Sequence, residues 1–228
     1  MSNVAQPVIL VGAGMHGRVV RDLCRDAGIE VAGYLDDFTP AGTQVDDVEV
    51  LGPLRRLEEA ELLQSRRFIV SIGNNIARQT IADRIESSGG GLAIAVHPNC
   101  VISPTATIGL GTVLIGATMV FSRAQIGKNV LVDPDTTVGA EAIIADGAYI
   151  CPGVHLGSRV RIGEQAFIGL GAVILPEVVI GRLSIVGAGA MVNRNVADET
   201  LVVGNPAEPK GKAVIDAFSP YPARRRNA

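Results

Sequence analysis

Gly12, Gly14 and Gly17 stand in the spacing G-x-G-x-x-G, directly after the apolar run Pro7-Val8-Ile9-Leu10-Val11 and before an amphipathic stretch that reaches Ala27. Glycines at such a strand-to-helix junction can hold a phosphate. The first amides of the helix and its positive dipole end face the anion, and the missing side chains let it come close. Asp36 lies near the distance at which an acidic residue meets a ribose in dinucleotide sites. Two ligands fit that description, a nicotinamide cofactor and a single nucleoside diphosphate, and a purely structural tight turn is the alternative to both. Metal chemistry has less to work with: the repeats described below contain His155 alone, His97 precedes them, and neither Cys100 nor Cys151 stands in a ligand pair. A catalytic zinc keeps three protein ligands, so no metal is expected. Cys24, Cys100 and Cys151 are odd in number, widely spaced and set among apolar residues, which suits buried thiols in a reducing compartment.

The glycine loop needs a frame, and the chain up to residue 95 supplies one. Strands are expected over residues 7–11, 30–35, 68–72 and 92–96, with helices from the loop to residue 27, over 54–63 and over 76–87. Alternation of this kind gives a parallel sheet covered by helices. It makes about one mononucleotide-binding half, whereas a dinucleotide lies across two, so a single nucleoside diphosphate is the better-sized ligand.

From Ile102 to Ala197 the period becomes six: sixteen hexads follow without insertion, each opening on Ile, Leu or Val, with Ala, Val, Thr or Ser at the fifth place from Ala106 to Val196. Neither a helix nor a lone strand repeats this way. Short strands separated by sharp turns do, three to a coil. Stacked coils place each opener above the one eighteen residues earlier, as with Ile126, Ile144, Ile162 and Ile180. Glycine follows the opener at Gly109, Gly127, Gly139, Gly157, Gly163, Gly169, Gly181 and Gly187, where it is expected to serve a bend that needs an unusual backbone conformation. Open coil ends would expose strand edges. The first is expected to be covered by the N-terminal domain, and the last by residues from Pro206 onward, including a short apolar turn at 213–218. The division is then 1–95 as the α/β domain with its candidate phosphate loop, 96–205 as the prism, and 206–228 as a cap and tail.

Composition narrows the function classes. With 47% hydrophobic and 19% charged residues in 228, the chain reads as an ordinary soluble protein. The net charge is −3, the basic run Arg224-Arg225-Arg226 stands alone, and no aromatic residues interleave with basic ones, which argues against nucleic acid. No stretch of about 18 residues is free of polar groups, and the first thirty lack a signal-peptide pattern. A cytoplasmic protein with no membrane insertion is expected.

Joined in this order, the motifs carry a resemblance. Val11-Gly12-Ala13-Gly14-Met15-His16-Gly17, Tyr34-Leu35-Asp36-Asp37, Ser71-Ile72-Gly73-Asn74-Asn75, His97-Pro98, the hexads and Val203-Gly204-Asn205-Pro206-Ala207 follow one another along nearly the whole chain. The chain resembles the nucleotide-sugar N-acetyltransferases of bacterial glycan pathways, grouped with the sialic-acid O-acetyltransferase family. The resemblance implies a Rossmann-like α/β half domain followed by an all-β left-handed parallel β-helix of hexapeptide repeats, assembled as a homotrimer. It also implies acetyl-CoA bound between neighbouring prisms as cosubstrate and a nucleotide-linked amino sugar under the N-terminal domain. Residue by residue, it assigns the nucleotide sugar to Gly14, Met15, His16, Asp36, Asp37 and Gly73, and coenzyme A to Tyr149, Leu170 and Ala188. His16 has a competing role as a helix-start residue that caps the turn. Tyr149 stands where the family usually has a histidine. Outward apolar residues such as Met119 and Phe121 suit a trimer.

One departure bears on the chemistry. The family carries a histidine, followed by an acid, that takes the proton from the attacking amine; the matching stretch here is Gly139-Ala140-Glu141-Ala142. The base position is Ala140, and only Glu141 is left. General-base help is worth about 10²–10⁴ in rate. Three explanations stand open. Another residue supplies the base, with Asp133 (in place of a family asparagine) and Glu141 foremost and Asp135, Asp146 and His155 as further polar candidates. The amine arrives neutral and needs only placement against a polarised thioester. Or the protein is a nucleotide-sugar-binding or scaffold protein, or transfers a different acyl group or acylates a hydroxyl.

Overall fold

The structure is a computed structural model that describes residues 6–214. Its N-terminal part is a sheet of six strands. These are β1 (Val8–Val11), β2 (Val31–Leu35), β3 (Gln44–Val45), β4 (Val48–Gly52), β5 (Arg67–Val70) and β6 (Gly91–Leu92), in the order β3-β4-β2-β1-β5-β6. All pairings are parallel except the β3–β4 hairpin. Helix α1 (Met15–Asp26) follows β1, α2 (Ala60–Ser65) precedes β5, and α3 (Asn75–Ser87) follows β5. Strand alternation divides the apolar residues between the two faces. Ile9, Val11, Leu35, Phe68 and Val70 pack with Leu57, Leu63, Ala82 and Ile85, while Val8, Leu10 and Tyr34 join Val20, Leu23 and Cys24 of α1 in a cluster continuous with the repeat core.

Three expectations are corrected here. The helix expected over 54–63 is a 3₁₀ turn (Leu54–Glu58) and the short α2, because the chain turns extended at Glu59 (φ −79°, ψ 107°). The strand expected over 92–96 is β6 and a separate strand, Ala95–Val96, which belongs to a different sheet. The β3–β4 hairpin was not expected, since β3 is only two residues long and β4 five, too short for either to stand out as a strand.

The hexads fold into a parallel β-helix. Three sheets form a prism, whose hexad strands are two residues long and pair eighteen residues apart: Ile126 with Ile144, Ile162 with Ile144 and Ile180, and Val132 with Ile150. Openers from Leu114 to Val192 point inward and are buried. The register begins one strand before the expected first opener, with Ala95–Val96 paired to Val113–Leu114. It tightens at the far end, where Ile180 bridges Val196 and Val186 pairs with Val202.

The turns do not work as expected. None of the eight glycines that follow openers has a positive φ; that conformation falls three residues after the opener, at every such position from Gly111 to Gly189, including Ala117, Arg123, Glu141, Arg159 and Leu183. The corner amides hold it by bonding across coils, as Glu141 N–H donates to Ser122 O (2.9 Å) and Arg159 N–H to Ala140 O (2.9 Å). Glycine after the opener serves stacking instead. A Cβ on Gly139 would stand 2.5 Å from the backbone of Gly157, and one on Gly163 2.5 Å from Arg182 N.

The N-terminal domain lies along the first face of the prism rather than over its first coil alone. Outward residues of that face, Val113, Leu131, Tyr149 and Phe167, are buried, whereas their counterparts on the third face, Thr107, Gln125, Arg161 and Val179, are exposed. At the far end, strand Glu208–Lys212 pairs antiparallel with Thr200–Val203 and extends the first sheet. Most of the apolar turn expected at 213–218 lies outside the described residues.

Candidate active site

In the N-terminal sheet β1 lies between β2 and β5, and the helices that follow β1 and β5 pack on opposite faces, an arrangement that leaves a crevice at the carboxyl ends of these two strands. The loops after these two strands touch there: Ser71 Oγ donates to the carbonyls of Val11 and Gly12, both at 3.0 Å. Gly12 (φ +106°) has no room for a Cβ beside Ile72, and a Cβ on Gly17 would run into the Gly12 carbonyl. The fold requires both of these glycines. Gly14 differs, because its backbone is extended (φ −73°, ψ −167°) and an added Cβ would meet nothing within 4 Å. Open space therefore lies in front of α1, whose first turn has neither a side-chain cap nor an acidic residue. An anion suits such a helix start.

Asp36 shapes this loop. Its Oδ2 accepts from Ala13 N–H (2.8 Å) and its Oδ1 from Phe38 and Thr39 N–H (2.9 and 2.8 Å). Partial burial pushes the Asp36 carboxyl up, but these amides outweigh it and hold it below the usual range. With both oxygens engaged, Asp36 is not arranged as the ribose clamp of a dinucleotide site. Asp37 is exposed, and its Oδ1 accepts from Leu54 N–H at 2.7 Å.

Met15 is exposed, while His16 turns inward to the prism. His16 Nε2 meets no hydrogen-bond partner among the described residues, so the ring does not cap the turn through that atom. Its centroid is 6.0 Å from that of Tyr149, which packs edge-on to Phe167 at 5.4 Å. Burial, and then Arg78, lower the His16 pKa to about 4, so the ring is neutral. Tyr149 Oη donates to Asp133 Oδ2 at 2.8 Å. Asp133 is 7% exposed; burial pushes its pKa up to about 6, against Tyr149 and Arg78, which pull it down.

Sequence reasoning missed Arg78 and Asn75. The Arg78 guanidinium is fully buried and bonds the carbonyls of Asn129 (2.9 Å), Ile72 (3.0 Å), Gly147 (2.6 Å) and Ala148 (3.2 Å), and Asn75 Oδ1 (2.9 Å). It also reaches toward the carbonyl of Gly73 (3.4 Å) and lies 5.9 Å from the Tyr149 ring centroid. Asn75 Nδ2 donates to the carbonyls of Gln165 and Ala166 (3.0 and 3.1 Å). Through these two residues α3 fastens the Gly73 loop to three successive coils. Asn75 closes the Ser71–Asn75 motif, which marked its loop but not its role, and Arg78 carried no such signal.

The remaining candidates lie elsewhere on the prism. Leu170 and Ala188 are exposed, eighteen residues apart, on the edge that follows the first sheet, which Asp133 joins two coils earlier than Leu170's turn. Tyr149 belongs to the adjoining face. Glu141 stands on the next edge, paired with Arg123 at 2.5 Å, and on the following coils of the same edge Arg159 pairs with Glu177 at 2.5 Å. Asp135, Asp146 and His155 are exposed; Asp146 Oδ1 accepts from Lys128 N–H (2.7 Å), and His155 Nδ1 is 3.2 Å from Thr137 Oγ1.

A parallel hexapeptide prism, joined to an α/β half domain with open space before an uncapped helix start, defines a class: hexapeptide-repeat acyltransferases. Comparison with known proteins gives the family. Residues 7–85 match the PglD N-terminal domain, and residues 123–158 and 159–194 match the bacterial transferase hexapeptide (six repeats). A histidine-to-alanine variant of GDP-perosamine N-acetyl transferase from Caulobacter crescentus, solved with CoA and GDP-perosamine, is 32% identical. That match covers 92% of this chain and 99% of that one, with a TM-score of 0.86. The acetyltransferase domain of PglB from Neisseria gonorrhoeae, solved with acetyl coenzyme A, is 32% identical over 90% of this chain and 98% of that one, with a TM-score of 0.85. UDP-N-acetylbacillosamine N-acetyltransferase from Bacillus subtilis is 30% identical over 116 residues, 50% of this chain and 52% of that protein. The match thus spans about half the length of that curated relative. The chain belongs to the family of hexapeptide-repeat nucleotide-sugar N-acetyltransferases.

Proposed function

We propose that the protein transfers the acetyl group of acetyl-CoA to an amino group of a nucleotide-linked amino sugar, as a homotrimer in the cytoplasm. The observation that carries this reading is the open space before Gly14 at an uncapped helix start, joined through His16 and Tyr149 to the prism. The diphosphate takes the amides of Met15 and His16, the loop of Gly73 lies across the crevice, and Asp37 offers the exposed carboxylate to base or ribose. The pantetheine arm runs along the edge of Ala188 and Leu170. At about 4.8 Å per coil, the three coils from the level of Ala188 to that of Asp133 span about 14 Å, a length that an extended arm covers. The three free cysteines fit a reducing compartment. Among the described residues no helix is long and apolar enough to cross a membrane.

Ala140, at the place where the resemblance has a histidine, favours a second reading: a protein that binds nucleotide sugars without transferring acetyl, or that handles a different acyl group or a hydroxyl. The Caulobacter variant holds both of its ligands with a histidine replaced by alanine, which supports binding as a property separable from that side chain. Incubation with acetyl-CoA and uridine, guanosine or thymidine diphosphate amino sugars should release free thiol with at least one of them. Nucleotide binding without thiol release from any of them would establish the second reading instead.

A further inference from the structure

Asp133 stands where two lines of residues cross. One line leads from the glycine loop: His16 is 6.0 Å from Tyr149, ring to ring, and Tyr149 Oη is 2.8 Å from Asp133 Oδ2. The other is the prism edge of Ala188 and Leu170, which arrives at Asp133 two coils beyond Leu170. A sugar hung from a diphosphate at α1 and an acyl group carried along the edge therefore converge on one carboxylate. Among the described residues Tyr149 supplies the hydrogen bond to that carboxylate, on Oδ2, which leaves Oδ1 to take a proton.

No other acid on the prism is placed this way. Glu141 is held by Arg123 on the next edge, Asp146 by the Lys128 amide, and Asp135 points from an exposed corner. The titratable and charged groups that face Asp133 are Tyr149 and Cys151 from the prism, Arg78 from α3 and, across the Tyr149 ring, His16 from α1. Arg78 bonds carbonyls and Asn75, not a carboxylate, so its positive charge is balanced through space by Asp133, with the Tyr149 ring between them.

We infer that Asp133 is the proton acceptor of the transfer, with Tyr149 holding its carboxylate and Arg78 supplying the facing positive charge; this rests on the acetyl-transfer reading above. The amine nitrogen forms its bond to the thioester carbonyl carbon and loses a proton to Asp133 Oδ1. The tetrahedral intermediate then collapses with cleavage of the C–S bond, and the departing thiolate takes the proton back from Asp133. The products are the amide and free coenzyme A. Burial that brings the Asp133 pKa to about 6 supports the role, since a base works best when its pKa lies near the working pH.

The test is the pH profile of thiol release by the full chain, with CoA and nucleotide affinities measured calorimetrically alongside. Wild-type kcat should rise through an inflection near 6. Asp133→Asn, which keeps the shape of the side chain, should lose about 10²-fold or more in kcat with unchanged affinities and no such inflection. Tyr149→Phe removes the hydrogen bond that lowers the Asp133 pKa, so the turnover it retains should show the inflection moved upward. Asp133→Asn with kcat within threefold of wild type, or with its loss confined to KM, overturns the inference and leaves acetyl transfer standing. A wild type that binds nucleotide but turns over no acceptor overturns both.

Discussion

His16 and Asp133 titrate in the same pH window with opposite effects on folding. Asp133 has its folded pKa raised, from 3.8 to about 6, so its contribution is fully present below pH 4 and is lost as pH rises through about 6. His16 has its folded pKa lowered, from 6.5 to about 4, so its contribution is present above pH 6.5 and is lost as pH falls through about 4. At about 1.4 kcal/mol per pKa unit, each shift of about two units is worth about 3 kcal/mol, and the two nearly cancel in the wild type. Single variants should uncouple them. Relative to wild type, Asp133→Asn should be equally stable at pH 4 and more stable at pH 7, while His16→Gln should gain on wild type as pH falls from 6.5 to 4. Urea midpoints across that range measure both, and variant curves parallel to wild type would contradict the burial argument. Part of this site could be read in advance. The glycine loop and His16 are local features of a strand-to-helix junction, and Asp133 stood out by its type. Arg78 could not be read, because its acceptors are carbonyls 51, 69 and 70 residues away, and a carbonyl carries no residue signature.

Among elements, the hexads were the most legible, since the buried opener and the small fifth residue repeat in every turn and each pairs with its own kind. What their pattern conceals is the distinction between two kinds of glycine. The residue three after the opener takes a left-handed backbone, a state that Gly, Asn and Asp enter most easily, and Gly111, Asn129, Asp135, Gly147, Gly153, Gly171 and Gly189 occupy it. That bias was visible in the sequence, though Arg123, Glu141 and Leu183 at the same place obscure it. The glycine after the opener is required by the adjacent coil. Gly139→Ala should therefore destabilise by about 2–3 kcal/mol, because its Cβ must displace backbone that has no rotamer to change. Gly171→Asn should lie within about 0.5 kcal/mol of wild type: Asn accepts the left-handed state, and the site is open, with nothing within 4 Å of an added Cβ. Equal losses in thermal unfolding for the two variants would show that conformation, rather than stacking, decides where glycine is needed. The 54–63 segment misled for a related reason: its apolar spacing fits one helix, and only the backbone at Glu59 divides it.

At the scale of the whole molecule, the N-terminal domain and the prism share one continuous apolar cluster, so the half domain lies against the prism as part of its fold. This occupies the first face. The third face is edged by the Arg123–Glu141 and Arg159–Glu177 pairs and carries Gln125 and Arg161, a surface at ease in water. The second face differs. Val101, Met119, Val173 and Met191 point outward along it, with Phe121 at its border, and Val101, Met119 and Phe121 are 63%, 42% and 44% exposed in the single chain. Large apolar residues grouped in this way mark a surface that another protein covers. In the proposed trimer the neighbouring prism covers it, and the edge of Leu170 and Ala188, which borders the same face, becomes one wall of a cleft between subunits. A charge placed there has to be desolvated without a partner if the trimer forms. Met119→Glu with Phe121→Glu should therefore shift the sedimenting species from three times the mass of one chain to a single chain. Unfolding of the separated chain should stay cooperative, because neither residue reaches the core. Turnover at low protein concentration should fall with the trimer, since one wall of the coenzyme cleft is then missing. A double variant that still sediments as the wild type does would place the subunit contact on another face, and a wild type that is itself a single chain with full turnover would remove the shared cleft altogether.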